Sequence, residues 1–158
     1  MRTSDEIKRG AGTKAARSRP TIGAVRAPLR EDEPHAFHFH DDGLIPNHPT
    51  WPLLLYRAAL RFSIELDPAA ALEELFGWNG WGRSWRNGVY PFPHYHSQIH
   101  EALGVARGSA EVLFGGVGGR SFHLTPGDVA VLPAGTGHQC LSSTSDFLIV
   151  GTYPREGE

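Results

Sequence analysis

The sequence predicts an all-β protein, a sandwich or barrel of short strands, and three observations carry that prediction. From Glu101 to Tyr153, six short runs of alternating or apolar residues are separated by brief turn-forming stretches. The 19 Gly and 12 Pro favour many turns over long helices. Only one stretch, Asp67 to Gly77, carries a clear helix signature.

The 158 residues suffice for one domain with a sizeable core, and 40% hydrophobic with 20% charged residues is ordinary for a soluble chain. Residues 1–30 carry eight Lys or Arg against two acidic residues and show no hydrophobic periodicity. They read as a flexible basic N-terminal arm, and residues 31–158 as the single folded domain. The remainder holds seven basic and fifteen acidic residues, and the total of −2 gives no reason to expect a nucleic-acid partner. The single Cys140 excludes an internal disulfide and permits a reducing compartment. No apolar run approaches the ~20 residues of a membrane span, and no secretory h-region opens the chain. A cytoplasmic location without membrane association is the expectation.

Taken in order, His35 to His40 reads as a short edge strand with Phe37 and Phe39 on one face. His38 and His40 form a His-x-His, but no carboxylate or further His follows at a useful distance, so they read as exposed strand histidines. Asp41-Asp42-Gly43 is a turn signal. Pro52 to Glu65 is apolar and mixed. A helix at its start and a strand at its end, where Leu60, Phe62 and Ile64 alternate with polar residues, are both compatible with it. Asp67 then caps a helix, Pro68 suits its first position, Ala69, Leu72 and Phe76 share one face, and Gly77 stops it. This helix is expected on the outside of the barrel. Trp78, Trp81 and Trp85, interrupted by Gly80 and Gly82, read as an irregular segment covering one barrel end.

From Val89 onward strands are expected throughout. Glu101–Arg107 and Ser109–Phe114 come first, with Ala110, Val112 and Phe114 inward and Glu111 outward. Gly115 to Gly119 is a hairpin turn, not a phosphate loop, since no helix follows and no P-loop Lys is present. Ser121–Leu124, Val129–Leu132, His138–Ser142 and Phe147–Tyr153 complete the set, with Thr125 to Asp128 as a turn.

The chemistry concentrates between Gly88 and Gly108. His94 and His96, two apart on a strand, project from one face with nearly parallel imidazoles. Glu101 lies an odd number of positions on, so a turn or bulge within Ser97 to His100 must precede it if it is to face inward with Leu103 and Val105. His138 reaches the same place from a distant strand. Three imidazoles and a carboxylate suit Fe, Mn, Co, Ni, Cu or Zn rather than Ca or Mg, and four protein ligands leave coordination positions open. His94, His96, Glu101 and His138 are the candidate metal ligands. His100 precedes Glu101 and by parity points away, yet Glu101 and His100 are the candidates for moving a proton. Tyr90, Phe92, Arg107 and Cys140 are candidate substrate contacts. Tyr90 and Phe92 share the parity of His94, Cys140 that of His138, and Arg107 that of Glu101 at a strand end.

Gly88-x5-His94-x-His96-x4-Glu101-x6-Gly108 resembles the first cupin motif at every named position, and Gly127-x5-Pro133-x-Gly135-x2-His138 resembles the second. Ser142 stands where the second motif ends in Asn, a position that supplies no ligand. Flanking stretches, among them Ile45-Pro46-Asn47-His48-Pro49, Trp85-Arg86-Asn87-Gly88 and Gly151-Thr152-Tyr153-Pro154, resemble the small single-domain YjlB-type cupins. The resemblance implies a cupin double-stranded β-helix, or jelly-roll barrel, with an N-terminal extension and one or two short helices. It also implies one divalent transition metal ion, such as Fe, Mn, Ni or Zn, and a homodimer.

Two functional classes follow. The first is a metalloenzyme on a small organic molecule, with an oxygenase (a dioxygenase) favoured. Its pocket would be lined by Phe92, Leu103, Val105, Val112 and Phe114, and no Arg/Lys cluster is visible for a sugar phosphate. An isomerase or lyase is its variant. The second is a metal-dependent small-ligand binding or sensor protein without turnover.

Overall fold

A computed structural model describes residues 33–155 of the chain. The basic arm assigned to residues 1–30 lies outside the described residues. Those described form nine strands and one helix. The strands are β1 (His35–Phe37), β2 (Leu53–Tyr56), β3 (Trp81–Asn87), β4 (Glu101–Arg107), β5 (Ala110–Phe114), β6 (Arg120–Leu124), β7 (Val129–Leu132), β8 (His138–Ser143) and β9 (Leu148–Pro154), and the helix is α1 (Pro68–Trp78). A six-stranded sheet runs β1-β2-β7-β4-β9-β3 and a three-stranded one β6-β5-β8, with antiparallel pairing throughout. This is the all-β barrel that the sequence predicts. No helix among the described residues is long and apolar enough to cross a membrane.

The core sits between the sheets. Leu53, Leu55, Leu103, Val105, Leu132 and Ile149 of the large sheet meet Ala110, Val112, Phe114, Phe122 and Leu124 of the small one. Strand β4 is buried on both faces, because its inward Leu103 and Val105 alternate with outward Ala102, Gly104 and Ala106. Small outward residues let α1 lie close. A Cβ on Gly104 would stand 2.6 Å from a Leu72 methyl and 3.1 Å from the Phe76 ring. Asp67 caps α1 by accepting from the Ala69 amide at 3.1 Å.

Several local expectations change. Helix α1 continues through Gly77 and ends at Asn79, whose amide side chain donates to the Leu75 carbonyl, with Gly80 at φ +80° turning the chain. Pro52–Glu65 begins as strand β2 and then turns at Ala58. Leu60 is buried while Ile64 is 91% exposed, so no strand forms over Leu60 to Ile64. Asp128 fixes that turn, accepting from the Ala58 amide and the Arg57 guanidinium, both at 2.8 Å. The Trp-rich segment is not irregular. Trp78 ends α1, while Trp81 and Trp85 lie on edge strand β3, which pairs with β9 and takes in Gly82 at a register shift between Trp81 and Ser84.

Residues 88–100 are not a strand either. Only a bridge between His94 and His138 is regular. The segment still runs along the edge of β8: Tyr90 accepts from the Cys140 amide at 2.9 Å, Pro91 from the Gln139 side chain, and His96 from the Gly135 amide at 2.7 Å. Pro91 and Pro93 have no N–H to give, which explains the broken ladder.

Candidate metal centre

Strand β4 carries Glu101 at its first residue, and bends at Ser97 and Gln98 supply the irregularity that lets it face inward. The carboxylate is buried, 2% exposed. His138, at the first residue of β8, is 4% exposed, and His96 comes from the irregular segment. Each of these three residues offers one donor atom, and the three atoms lie within 4.8 Å of one another. His138 Nε2 is 3.2 Å from Glu101 Oε2, and His96 Nε2 is 3.6 Å from Oε1.

His94 stands beside this group, its ring centroid 3.9 Å from that of His138 and 6.3 Å from that of His96. The rings of His94 and His96 cross at 85°. The parallel arrangement expected from a regular strand is absent because Pro93 and the bends after His96 break the strand.

The histidine tautomers follow from their partners. His138 Nδ1 is 3.2 Å from the Thr136 carbonyl, and His94 Nδ1 is 3.1 Å from the Phe92 carbonyl. A carbonyl only accepts, so each Nδ1 carries a proton and each Nε2 is the atom left to face a metal ion. Burial first, and then the neighbouring His138, hold the His94 pKa below its usual value, which favours the neutral ring. His138 Nε2 faces a buried carboxylate oxygen, Glu101 Oε2, that makes no hydrogen bond. A buried carboxylate oxygen against an imidazole nitrogen, away from water, is satisfied by a proton or a metal ion between them. Bonds of about 2.1 Å to one ion would set donor edges at roughly 3.0–3.4 Å, and His138 Nε2 and Glu101 Oε2 stand 3.2 Å apart. The residues fit a divalent transition metal, which His96, Glu101 and His138 would hold, with His94 beside them.

A pocket of about 340 Å³ opens over the group, walled by Trp85, Val89, Tyr90, Leu103 and Ile149, with Tyr153 beside the donors. Sequence reasoning missed Tyr153 and Trp85 as pocket residues. The signal was present in strand parity: Ile149, Gly151 and Tyr153 share the inner face of β9, and Gly151 leaves room for the Trp85 indole, whose ring would meet a Cβ there at 2.1 Å. Tyr153 Oη is 3.5 Å from His96 Nε2. Burial first, then the charge of Glu101 and a hydrogen bond to it, raise the phenol pKa, so the proton stays on. The Trp85 indole N–H lies near enough to oppose that shift, yet it is buried without a hydrogen bond of ordinary length.

Of the remaining candidates, Tyr90 lines the pocket and the others fall elsewhere. His100 turns to the opposite side, where Nδ1 accepts from the Ala134 amide at 2.9 Å and its ring lies 5.2 Å from that of Trp51. Burial, then His48, lowers its pKa. It does not line the pocket, and Glu101 alone of the proton-transfer candidates does. Tyr90 forms part of the pocket wall, with Phe92 stacked on it at 5.0 Å and 54% exposed. Arg107 is exposed at the far end of β4, and half-buried Cys140 packs on the core. Of the apolar lining expected from Phe92, Leu103, Val105, Val112 and Phe114, only Leu103 reaches the pocket, because Val105, Val112 and Phe114 lie deeper in the closed core. His38 and His40 are exposed as expected, but they follow the strand rather than lie on it, since β1 ends at Phe37.

A cupin family model matches residues 84–154. Over 124 residues the chain is 44% identical to the uncharacterized protein YjlB of Bacillus subtilis, covering 78% of this chain and 72% of that one. The chain belongs to the cupin family. This cupin is of the YjlB-like kind that its motifs and flanks indicate, and its barrel is the cupin barrel. Among solved structures it is similar to an oxalate decarboxylase, at 14% identity and a TM-score of 0.40, covering 83% of this chain and 28% of that one. It is also similar to WlaRA, a TDP-fucose-3,4-ketoisomerase of Campylobacter jejuni, at 11% identity and a TM-score of 0.40, covering 79% and 84% of the two chains. KdgF of a Halomonas species shows 19% identity and a TM-score of 0.38, covering 75% and 96%.

Proposed function

We propose that this cupin binds one divalent transition metal ion through His96, Glu101 and His138, with His94 as a further donor, and acts on a small organic molecule in the pocket above it. The observation that carries the reading is the convergence of His96, Glu101 and His138 donor atoms within 4.8 Å, with a buried Glu101 oxygen 3.2 Å from His138 Nε2 and without a hydrogen bond. A pocket of about 340 Å³ with aromatic and aliphatic walls fits a compact, largely apolar molecule. Oxygenase chemistry is the favoured activity, since a redox-active ion with open positions supplies a site for both oxygen and an organic ligand.

The chain's own residues would then divide the work. Trp85, Leu103 and Ile149 exclude water and hold the apolar body of the ligand. Tyr153, which keeps its proton, donates a hydrogen bond beside His96. Glu101 holds charge at the pocket floor, where burial makes each electrostatic contact stronger.

Metal analysis of untagged protein, followed by oxygen-consumption assays of the iron-loaded form across a panel of small aromatic and aliphatic compounds, tests the reading. One equivalent of metal and substrate-dependent consumption are expected. Protein that cannot be loaded with any transition metal would sink the metal assignment. Loading without consumption by any compound would favour a binding protein over an oxygenase.

A further inference from the structure

We propose that Asn47 is a positioning residue for the metal group, acting on His138 through one peptide unit. Asn47 belongs to the loop between β1 and β2 and is 5% exposed. Its amide nitrogen donates to the His40 and Gly115 carbonyls at 2.8 and 3.0 Å. Its Oδ1 accepts from the Gly137 amide at 3.2 Å. That N–H and the Thr136 carbonyl are the two ends of one peptide bond, and in a trans peptide they point in opposite directions. The Thr136 carbonyl is the oxygen that His138 Nδ1 meets at 3.2 Å. Asn47 therefore holds one end of a planar unit whose other end holds the imidazole. Partners behind a ligating histidine set its ring orientation and its tautomer, and here they leave Nε2 toward Glu101 Oε2, 3.2 Å away. An N–H engaged by Asn47 also makes the carbonyl of the same peptide a stronger acceptor.

His94 supplies the contrast. Its Nδ1 also meets the carbonyl two residues before it, that of Phe92, at 3.1 Å. The next residue is Pro93, so that peptide has no N–H by which a side chain could hold it. The His138 ring is steadied from behind and the His94 ring is not. This matches their places inside and outside the group of three converging donors. The chemistry of position 47 is demanding. Its backbone lies at φ +52°, in the left-handed region that Asn tolerates better than most residues. Two carbonyls there need a donor and one amide needs an acceptor, and an Asn side chain supplies both. The loop also sits tightly on the turn before His138, since a Cβ on Gly135 would stand 2.8 Å from the Asn47 carbonyl oxygen. The amide of that same Gly135 donates to the His96 carbonyl at 2.7 Å.

The effect of Asn47 on metal affinity rests on the metal reading above, while its hold on the His138 ring does not. Asn47→Ala, Asn47→Asp and Asp42→Ala are compared in the full-length protein. Asp42→Ala is the control, because Asp42 clips the same loop through the Leu44, Ile45 and Val117 amides instead of the Gly137 amide. Urea unfolding gives stability and dye competition gives Co(II) affinity. On metal-free protein, NMR follows solvent exchange of the His138 Nδ1 proton, assigned by its loss in His138→Ala. Asn47→Ala should bind Co(II) roughly tenfold more weakly and exchange that proton faster than wild type. Asn47→Asp, which keeps the acceptor, should lose stability yet keep the slow exchange. Asp42→Ala should lose stability and retain both wild-type values. A wild-type exchange rate in Asn47→Ala overturns the proposal, and so does an equal loss of cobalt affinity in Asp42→Ala. If Asn47→Ala does not fold, Asn47→Asp decides, and fast exchange in it overturns the proposal. Wild-type protein that takes up no cobalt would instead defeat the metal reading, with proton exchange still deciding the role of Asn47.

Discussion

His94 and His138 exchange both backbone hydrogen bonds, at 3.2 and 2.9 Å, and their imidazole centroids stand 3.9 Å apart. Directly opposed residues of an antiparallel pair project to the same side, so this single bridge aims both rings into the pocket. It also fixes the irregular segment on which His96 rides. The proline-broken stretch is thus held in place by the same residues that supply donor nitrogens.

Donor-atom positions rank the effects of ligand removal. His138→Ala and Glu101→Ala should each weaken Zn(II) or Co(II) binding by more than about 100-fold. His94→Ala should cost less, on the order of tenfold, because His94 lies outside the group of three converging donors. Competition with a chelating dye measures all three, and an equal loss for His94→Ala would make it a full member of the donor set.

Gly104 is the seat of α1 on the barrel. Gly104→Val should destabilise the protein by about 1–3 kcal/mol, since added methyls meet Leu72 and Phe76. Combining it with Leu72→Ala should return part of that loss. Urea unfolding of the double-mutant cycle reads the coupling, and strictly additive effects would place the strain elsewhere.

Asp128 and Arg57 form an ion pair at 2.8 Å, but the two sides are unequal. The Arg57 side chain is 40% exposed and should contribute less than about 1 kcal/mol. The Asp128 side chain is 3% exposed and accepts from the Ala58 and Thr125 amides. Asp128→Ala should cost about 3 kcal/mol, because it strands those donors. Arg57→Ala and Asp128→Ala of similar stability in denaturant would contradict this.

Asp42 accepts from the Ile45, Leu44 and Val117 amides, and these bonds, largest first in that order, hold its pKa below the ordinary 3.8. A carboxylate with a depressed folded-state pKa adds stability that is present above the unfolded value and lost as pH falls through the folded one. Wild type should therefore exceed Asp42→Asn in melting temperature at neutral pH, with the gap closing below pH 3.8. A gap that stays constant down through that range would show that the carboxylate's charge is not what anchors the loop.

The strands from β4 to β9 and the positions of His94, His96, Glu101 and His138 were legible because they depend on local signals. Two-residue alternation, turn glycines and fixed spacing are all written along the chain. Even the inward turn of Glu101 and the outward turn of His100 follow from parity once an irregularity is placed between Ser97 and His100. What the sequence could not decide are the relations between distant segments. Whether Trp81 to Asn87 is a strand depends on β9 offering an edge with Gly151 under Trp85. Whether His94 joins the donor group depends on its ring angle, which Pro93 and the β8 bridge set together. The meeting of Tyr153 with His96 arises only when the barrel closes. Spacing along one chain determines which residue types are available and which way each faces. The packing of one sheet against another decides which of them meet, because contact between remote segments is a property of closure and not of order.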